Sequence, residues 1–282
     1  MAGVLAACLL LQMSAVFAQP VTMYAVDGRT ISVDSSEVDA YSSVGWYTSP
    51  PVMMYAPDWR TIYVPQSEVA AYTAVGWYTE PVRYVYAPDG RTAVIADRET
   101  PAYLNVGWFT TMEEAKYNNF ANSYYGAMNV ADYATAMAVC DNALSSGELT
   151  AGGWYESDMQ AKKRNAADLW RENTRCPIGI VGYTMGENSI GVPTVNIRFR
   201  NLSYQPITAF KLTFYCYDAF GNPARWTRYH SNSFDGYMNS IWFEPLEQDV
   251  WYWTLNLQTS TTYVQNMHIT EIVFADGSKW VG

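Results

Sequence analysis

The 282-residue chain is short of charge, and this shortage limits the classes of protein to which it can belong. Charged residues make up 16% of the chain and hydrophobic residues 49%, a balance opposite to that of a disordered segment. Its 17 Lys and Arg are outnumbered by 27 Asp and Glu, and beyond the run Lys162-Lys163-Arg164 the basic residues form no extended clusters. Binding to nucleic acid through phosphates requires such clusters, so the sequence predicts no nucleic-acid partner.

Recognisable catalytic and metal-binding motifs are also missing. The chain has two histidines, His230 and His268, and neither lies near a nucleophile motif. The patterns GxSxG, HExxH, CxxC, the P-loop and the Rossmann fingerprint do not occur. Asp235 and Glu244 lie near aromatic residues but are single carboxylates, whereas a glycosidase needs a pair. We therefore expect a protein that is not an enzyme, with no catalytic, cofactor-binding or metal residues.

The N-terminus has the features of an export signal. Residues 1–18 contain no charged side chain and end in Val16-Phe17-Ala18, whose small residues fit signal-peptidase cleavage before Gln19. A buried N-terminal helix and lipoprotein modification at Cys8 are the alternatives. No other segment approaches the ~20 apolar residues of a transmembrane helix. We expect a protein without a membrane span after signal removal, secreted or attached non-covalently to the cell surface.

Cleavage would leave three cysteines: Cys140, Cys176 and Cys216. An odd number leaves at least one free thiol or an intermolecular partner. Cys140 and Cys176 are the candidate disulfide, which an oxidising compartment would allow, and two free thiols are the alternative. Cys216 alternates with apolar residues and is predicted to be buried and free.

What the sequence does contain is an internal repeat with a period of 31 residues. The copies read VTMYAVDGRTISVDSSEVDAYSSVGWYTS, VMMYAPDWRTIYVPQSEVAAYTAVGWYTE and RYVYAPDGRTAVIADRETPAYLNVGWFTT, and they align without insertion. Several positions carry the same residue in all copies: Tyr24, Tyr55 and Tyr86; Asp27, Asp58 and Asp89; Arg29, Arg60 and Arg91; Trp46, Trp77 and Trp108. Duplication explains this regularity.

Each copy is predicted to form a β-hairpin, a short helix and an aromatic exit segment. Asp27-Gly28 and Asp89-Gly90 favour a type I′ turn, and the middle copy, with Asp58-Trp59, needs a different turn. Ser36 is predicted to cap the helix of the first copy and Gly45 to end it in the left-handed conformation. One face of that helix carries Val38, Tyr41 and Val44.

The aromatic rows have two interpretations. A 31-residue unit cannot bury enough surface alone, so the tryptophans are interpreted as contacts that hold neighbouring copies together. Alternatively, exposed rings stack on sugars, and the candidate stacking residues are Trp46, Trp77, Trp108, Trp251 and Trp253. We expect the arginine row to pair with the aspartate row inside each hairpin rather than with a ligand.

The middle of the chain is predicted to be helical and the end to be β-structure. Helices are expected from the capping box at residues 111–114 to about Met128, over 131–146 and over 154–173. Residues 178–189 are predicted to be a linker. From 190 to 282, apolar residues alternate with polar ones in short strands separated by turns, as in Val195, Ile197 and Phe199, and this pattern predicts a β-sandwich.

Three resemblances accompany these patterns. The copies in residues 21–111 resemble the "YAPDGRT…SEV…AY..VGWY" hairpin–helix repeats of exported surface proteins from Gram-positive, clostridial-type anaerobes. Residues 132–144 resemble the second helix of a tetratricopeptide repeat, with Ala136, Cys140 and Ala143 at its packing positions. The segment NLS…FKLTFYCYDAFGNP resembles immunoglobulin-like domains of the FxLYD type.

Together these features predict a multidomain, β-rich α+β chain: a signal peptide (1–18), three stacked repeats (19–111), a helical connector (112–177), a linker (178–189) and an immunoglobulin-like sandwich (190–282). The connector is more consistent with a spacer than with a peptide receptor, because such helix pairs need several copies to form a groove. The predicted function is a secreted or cell-surface interaction or scaffold protein, whose partner is a cell-wall glycan or a surface protein. A carbohydrate-binding module is the alternative, and a hydrolase would require a cleft with paired acids.

Overall fold

The computed structural model describes residues 19–225 and 231–282, so the predicted signal peptide lies outside the described residues. The described chain is a mixed α+β protein with small antiparallel sheets and several helices. It divides into two compact units, of which the first ends at Thr111 and the second spans Met112–Gly282.

In the first unit, the same order of elements occurs three times, once in each 31-residue copy. The elements are β1 (Val21–Tyr24), β2 (Thr30–Val33) and α1 (Val38–Ser42); β3 (Val52–Tyr55), β4 (Thr61–Val64) and α2 (Val69–Ala74); β5 (Val82–Tyr86), β6 (Thr92–Ala96) and α3 (Thr100–Asn105). The exit segment returns to the first strand of its own hairpin through the bridges Tyr24–Tyr47, Tyr55–Tyr78 and Tyr86–Phe109. Each copy is thereby closed on itself.

All three hairpins end in the same turn. In the first, the N–H of Gly28 donates to the carbonyl of Ala25 (3.1 Å), and the N–H of Ala25 donates to the carbonyl of Arg29 (2.9 Å). Gly28 is left-handed at φ 85°, which makes this a type I turn followed by a G1 bulge. The predicted type I′ turn is wrong, because that turn requires two residues with positive φ. The different turn predicted for the middle copy is also wrong, because Trp59 itself takes the left-handed position at φ 71°.

The first helix differs from the prediction in two respects, its N-terminal cap and the position of Val44. Ser36 does not cap α1; instead, its N–H and hydroxyl donate to the carboxylate of Asp34 at 2.9 and 2.7 Å. Gly45 ends the helix at φ 90°, as predicted. Val44 does not share a helical face with Val38 and Tyr41 as predicted, because it lies beyond the last turn of α1 and is exposed.

The second unit begins with three helices whose bounds confirm the prediction to within two residues. They are α4 (Met112–Asn129), α5 (Tyr133–Ser145) and α6 (Trp154–Thr174). Asp132 precedes α5, and its carboxylate accepts a hydrogen bond from the N–H of Thr135 (3.0 Å). Ala136, Cys140 and Ala143 lie in the core of the three helices.

Seven strands follow in the described part of the second unit, in two antiparallel sheets. The strands are β7 (Ile178–Glu187), β8 (Pro193–Asn201), β9 (Ile207–Tyr217), β10 (Ser233–Met238), β11 (Gln248–Thr254), β12 (Tyr263–Phe274) and β13 (Lys279–Val281). Their orders are β10-β9-β12-β13 and β11-β8-β7. The linker predicted at 178–189 is wrong, because residues 178–187 form β7 and pair with β8. Its exposed Tyr183 and Thr184 interrupt the apolar pattern that marks a strand.

The two sheets bury one hydrophobic cluster, to which β8 contributes Phe199 and β9 contributes Phe210 and Phe214. The helices pack against the same part of the chain, since Leu202, which follows β8, is buried in the helical core. The helical segment is therefore part of one compact unit with the sheets rather than a connector between separate domains.

Candidate binding surface

The tryptophan row is half-buried, and each ring is engaged inside its own copy. In the first copy, the Trp46 ring meets Tyr41 edge to face, with 6.3 Å between ring centroids. The guanidinium carbon of Arg29 lies 6.0 Å from the Trp46 centroid, a cation–π distance. The other copies repeat the arrangement, with Arg60 at 5.9 Å from Trp77 and Arg91 at 5.6 Å from Trp108.

The arginines over these rings are held by the aspartates of the same turns, which confirms the predicted pairing. The Nε–Oδ2 distances are 2.7, 2.7 and 2.8 Å for Arg29–Asp27, Arg60–Asp58 and Arg91–Asp89. The backbone N–H of Arg29 and then its guanidinium lower the pKa of Asp27, although slight burial opposes the shift. Arginine thus covers part of each indole. The tryptophans stabilise single copies, whereas the first interpretation expected them to join neighbouring copies.

Other aromatic residues make the contacts between copies. The hydroxyl of Tyr47 donates to the carbonyl of Tyr63 in the second copy (3.4 Å), and that of Tyr78 to the carbonyl of Val94 in the third (3.2 Å). The exposed ring of Trp59 packs on Tyr84, with 6.1 Å between centroids.

The copies present a second row, which sequence reasoning missed, on their solvent side. Val44, Val75 and Val106 precede the left-handed glycines and are 72%, 74% and 74% exposed. The invariant Val-Gly-Trp triplet was the available signal. It was overlooked because the helical period placed Val44 on the same helix face as Val38 and Tyr41, whereas the chain has already left the helix at that point.

A small pocket of about 280 Å³ lies where the second and third copies meet. Trp77 and Tyr78 line it together with Glu80, Arg98 and Glu99. Glu80 and Arg98 form an ion pair with an Oε1–Nε distance of 2.9 Å. One period earlier, the counterparts of Glu80 and Arg98 are Ser49 and Ser67, so the repeat pattern alone does not predict this pair.

Trp251 and Trp253 do not offer free stacking faces, and their prediction as ligand-stacking residues is wrong. Both occupy the inward positions of β11, where Trp253 is 9% exposed and belongs to the core of the sheets. The Trp251 ring packs on Phe210 and Phe243, with centroid distances of 5.3 and 4.9 Å. The period of two along a strand turns both rings to the same side.

The candidate disulfide is also wrong, because Cys140 and Cys176 are free thiols in the structure. Cys140 lies in the helical core, whereas Cys176 packs against the core of the sheets, so the two side chains serve different clusters. Burial raises the pKa of Cys140 to about 12 and that of Cys176 to about 11. Cys216 is buried and free, as predicted.

The remaining polar candidates have local structural partners. Asp235 accepts a hydrogen bond from the hydroxyl of Thr213 (2.7 Å), and Glu244 accepts one from Nε1 of Trp242 (2.7 Å). His268 has its Nδ1 3.0 Å from the carbonyl oxygen of Asn266, whereas His230 lies outside the described residues. Within residues 19–225 and 231–282, no group of three or more His, Cys, Asp or Glu residues is arranged to hold a metal ion. In the same part of the chain, no helix is long and apolar enough to cross a membrane.

Comparison with known proteins gives little further information. No family model and no curated protein matches the chain. The chain is similar to a crystal structure of a hypothetical protein from Peptoclostridium difficile 630, with 11% sequence identity and a TM-score of 0.28. The match covers 38% of this chain and 87% of that protein's chain. A likeness at this TM-score supports no statement about fold or function.

Proposed function

We propose that the chain is a non-enzymatic, exported interaction or scaffold protein of the cell surface, and that the first unit binds its partner through the valine row. The observation that carries this proposal is the repetition of one exposed apolar side chain, at Val44, Val75 and Val106, in three copies. Single exposed apolar residues are ordinary on protein surfaces. Here three exposed valines occupy the same position of successive copies, and the aromatic and charged residues beside them are engaged within each copy. This repetition favours a shared contact surface.

Repetition suits a partner that touches several copies at once. Each valine contributes little alone, because one exposed apolar side chain buries a small area. Linked weak contacts add through effective concentration. We therefore expect single valine substitutions to weaken binding slightly and the triple substitution to abolish it.

Retention of the chain from Gln19 onward on purified Gram-positive cell walls tests this role. The wild type is compared with the triple variant Val44→Ser, Val75→Ser and Val106→Ser. A matched control changes three exposed apolar residues of the second unit, Val130→Ser, Ile190→Ser and Phe220→Ser. We expect the valine-row variant to lose retention and the control to keep it. Equal retention of wild type and valine-row variant would contradict the proposal.

Carbohydrate binding is the second candidate, and the pocket beside Trp77 favours it. An indole with two carboxylates and an arginine around it offers both a stacking surface and hydrogen-bonding groups for hydroxyls. Glu99→Gln is the informative variant, and Glu68→Gln, one period earlier, is its matched control. Titration of soluble cell-wall glycan fragments should give a weaker affinity for the first and an unchanged affinity for the second; equal affinities would exclude this pocket.

We also propose that the second unit is the spacer or presenting part of the molecule, with a tetratricopeptide-like helical segment and an immunoglobulin-like sandwich. Support comes from the small and bulky residues at Ala136, Cys140 and Ala143, and from two antiparallel sheets that share one core. Export is proposed from the first eighteen residues. N-terminal sequencing of the exported protein should begin at Gln19.

A further inference from the structure

The second unit contains a cavity of about 630 Å³ where the end of α6 meets β7, β12 and β13. Trp170, Ile178, Met267 and Trp280 supply apolar side chains to its lining. The volume falls within the range of small-molecule binding pockets, about 300–1,000 Å³, and mostly apolar walls are typical of them.

A glycine on β7 shapes one wall. The Trp170 ring lies against Gly179 so closely that a Cβ there would come within 2.6 Å of the indole. Any larger residue at 179 would displace the ring, so this glycine allows an aromatic side chain to lie directly on the strand. Trp280 of β13 contributes a second indole to the same cavity.

The charge of the lining differs from that of the whole chain. The chain has a net charge of −10, yet none of the lining side chains in the described chain is acidic, and Arg175 is among them. Arg175 has no ion-pair or hydrogen-bond partner in the described part of the chain. A free guanidinium beside apolar walls is complementary to an apolar anion.

Arg175 occupies a position where glycine would be more stable. It follows α6 in the left-handed conformation, at φ 54° and ψ 22°. Helices commonly end with glycine in this conformation, because a side chain at that position strains the backbone. The chain instead carries an arginine here, and this places a cation at the cavity.

From these observations we propose that the cavity binds small apolar monoanions, such as aromatic or aliphatic carboxylates, with the hydrocarbon part between the indoles and the acid group at Arg175. The cavity lies entirely in the second unit. Its test is therefore independent of the valine row.

The test uses the chain from Gln19 onward and two probes of the same shape, 1-naphthaleneacetate and its neutral amide, 1-naphthaleneacetamide. Isothermal titration calorimetry measures the affinity for each. We expect saturable binding of the acid, about tenfold tighter than that of the amide, because only the acid offers the guanidinium a charged hydrogen-bond acceptor. Absence of saturable binding of the acid, or equal affinities for the two probes, would overturn the proposal.

Two variants locate the cation. Arg175→Gly removes the guanidinium and relieves the backbone, and Arg175→Gln removes the charge alone. We expect both to bind the acid no more tightly than the amide, while affinity for the amide is unchanged. Arg175→Gly should also melt at or above the temperature of the wild type, so that its loss of binding does not reflect unfolding. Arg164→Gln, at an exposed arginine of α6 that does not line the cavity, is the matched control. Binding of the acid by Arg175→Gly at wild-type affinity would refute the assignment.

Discussion

Asp141 on α5 and Arg200 on β8 form an ion pair between the helices and the three-stranded sheet, with an Oδ2–Nη2 distance of 2.6 Å. The side chain of Arg200 is 2% exposed, and it also donates to the carbonyl of Leu246 (3.0 Å) and the side-chain oxygen of Gln248 (2.9 Å). Its Nε has no hydrogen-bond partner among the described residues. A buried cation is stable only when other groups compensate its charge. Because Asp141 supplies the negative charge, the ion pair couples the helical segment to the sheet.

Removing the carboxylate should destabilise the second unit. Asp141→Asn leaves the buried guanidinium undercompensated, and we expect the free energy of unfolding to fall by about 2 kcal/mol. Arg200→Met removes the buried charge itself and should cost less. Urea unfolding of both variants and of the double variant gives the coupling energy, which we expect to exceed about 1 kcal/mol. Glu172→Gln, at an exposed position of α6, should change stability by less than about 0.5 kcal/mol. Strict additivity of the two substitutions would argue against the coupling.

Because Trp59 of the middle turn is left-handed, we expect an unusual order of stabilities among its variants. Trp59→Gly relieves the backbone but loses the contact with Tyr84, and we expect these effects, each about 1 kcal/mol, to cancel. Trp59→Ala loses the contact and keeps the strain, so it should be about 1 kcal/mol less stable than Trp59→Gly. Gly28→Ala in the first copy, where a Cβ would meet no atom within 4 Å, measures the backbone effect alone. Thermal unfolding of the three variants checks the order. Equal stability of Trp59→Gly and Trp59→Ala would contradict it.

Features determined by local chemistry could be predicted from the sequence. The bounds of the helices of the second unit agree with the prediction to within two residues. Asp132, which the prediction placed inside the second helix, caps α5 through the N–H of Thr135, three residues along the chain. The pairing of Arg29 with Asp27 also depends on residues two apart. In these cases the interacting groups are close in sequence, so a short window contains the cause and the effect.

Features determined by distant contacts could not be predicted. Trp251 and Trp253 were assigned to a ligand on the strength of their residue type, yet their burial depends on the other sheet. The sequence predicts a linker where β7 lies. The strand depends on hydrogen bonds to β8, and a short window of sequence does not show that pairing. The cavity beside Arg175 combines α6 with β13, which lie about a hundred residues apart, and no local pattern brings them together.

The thiols should be free and unreactive in the folded chain. Burial raises the pKa of Cys140 to about 12, and those of Cys176 and Cys216 to about 11. The chain from Gln19 onward, purified from an oxidising compartment, should react slowly with a disulfide reagent at pH 8, because the thiolate is the reactive form. In urea without reductant, we expect three thiols per chain, and two in Cys140→Ser. One thiol in the unfolded wild type would contradict this expectation, because it would mean that two of the three cysteines are bonded.

The cap of α5 should give a pH-dependent contribution to stability. The N–H of Thr135 and then its hydroxyl lower the pKa of Asp132 below its ordinary value of 3.8, although slight burial opposes the shift. Because the folded pKa is the lower one, the contribution is complete above the ordinary pKa and is lost as the pH falls through the folded value. At pH 7, Asp132→Ala should cost about 1 kcal/mol.

Chemical unfolding at several pH values measures the difference in free energy of unfolding between wild type and Asp132→Ala. The gap between wild type and Asp132→Ala should narrow between about pH 5 and pH 2, as the carboxylate becomes protonated. Asp132→Asn keeps an oxygen that accepts from Thr135 but does not titrate, so its gap to Asp132→Ala should be the same at every pH at which the chain is folded. A wild-type gap that stays constant from pH 7 to pH 2 would show that the charge of Asp132 contributes nothing beyond its hydrogen bond. In that case a neutral acceptor at this position would be sufficient to start α5.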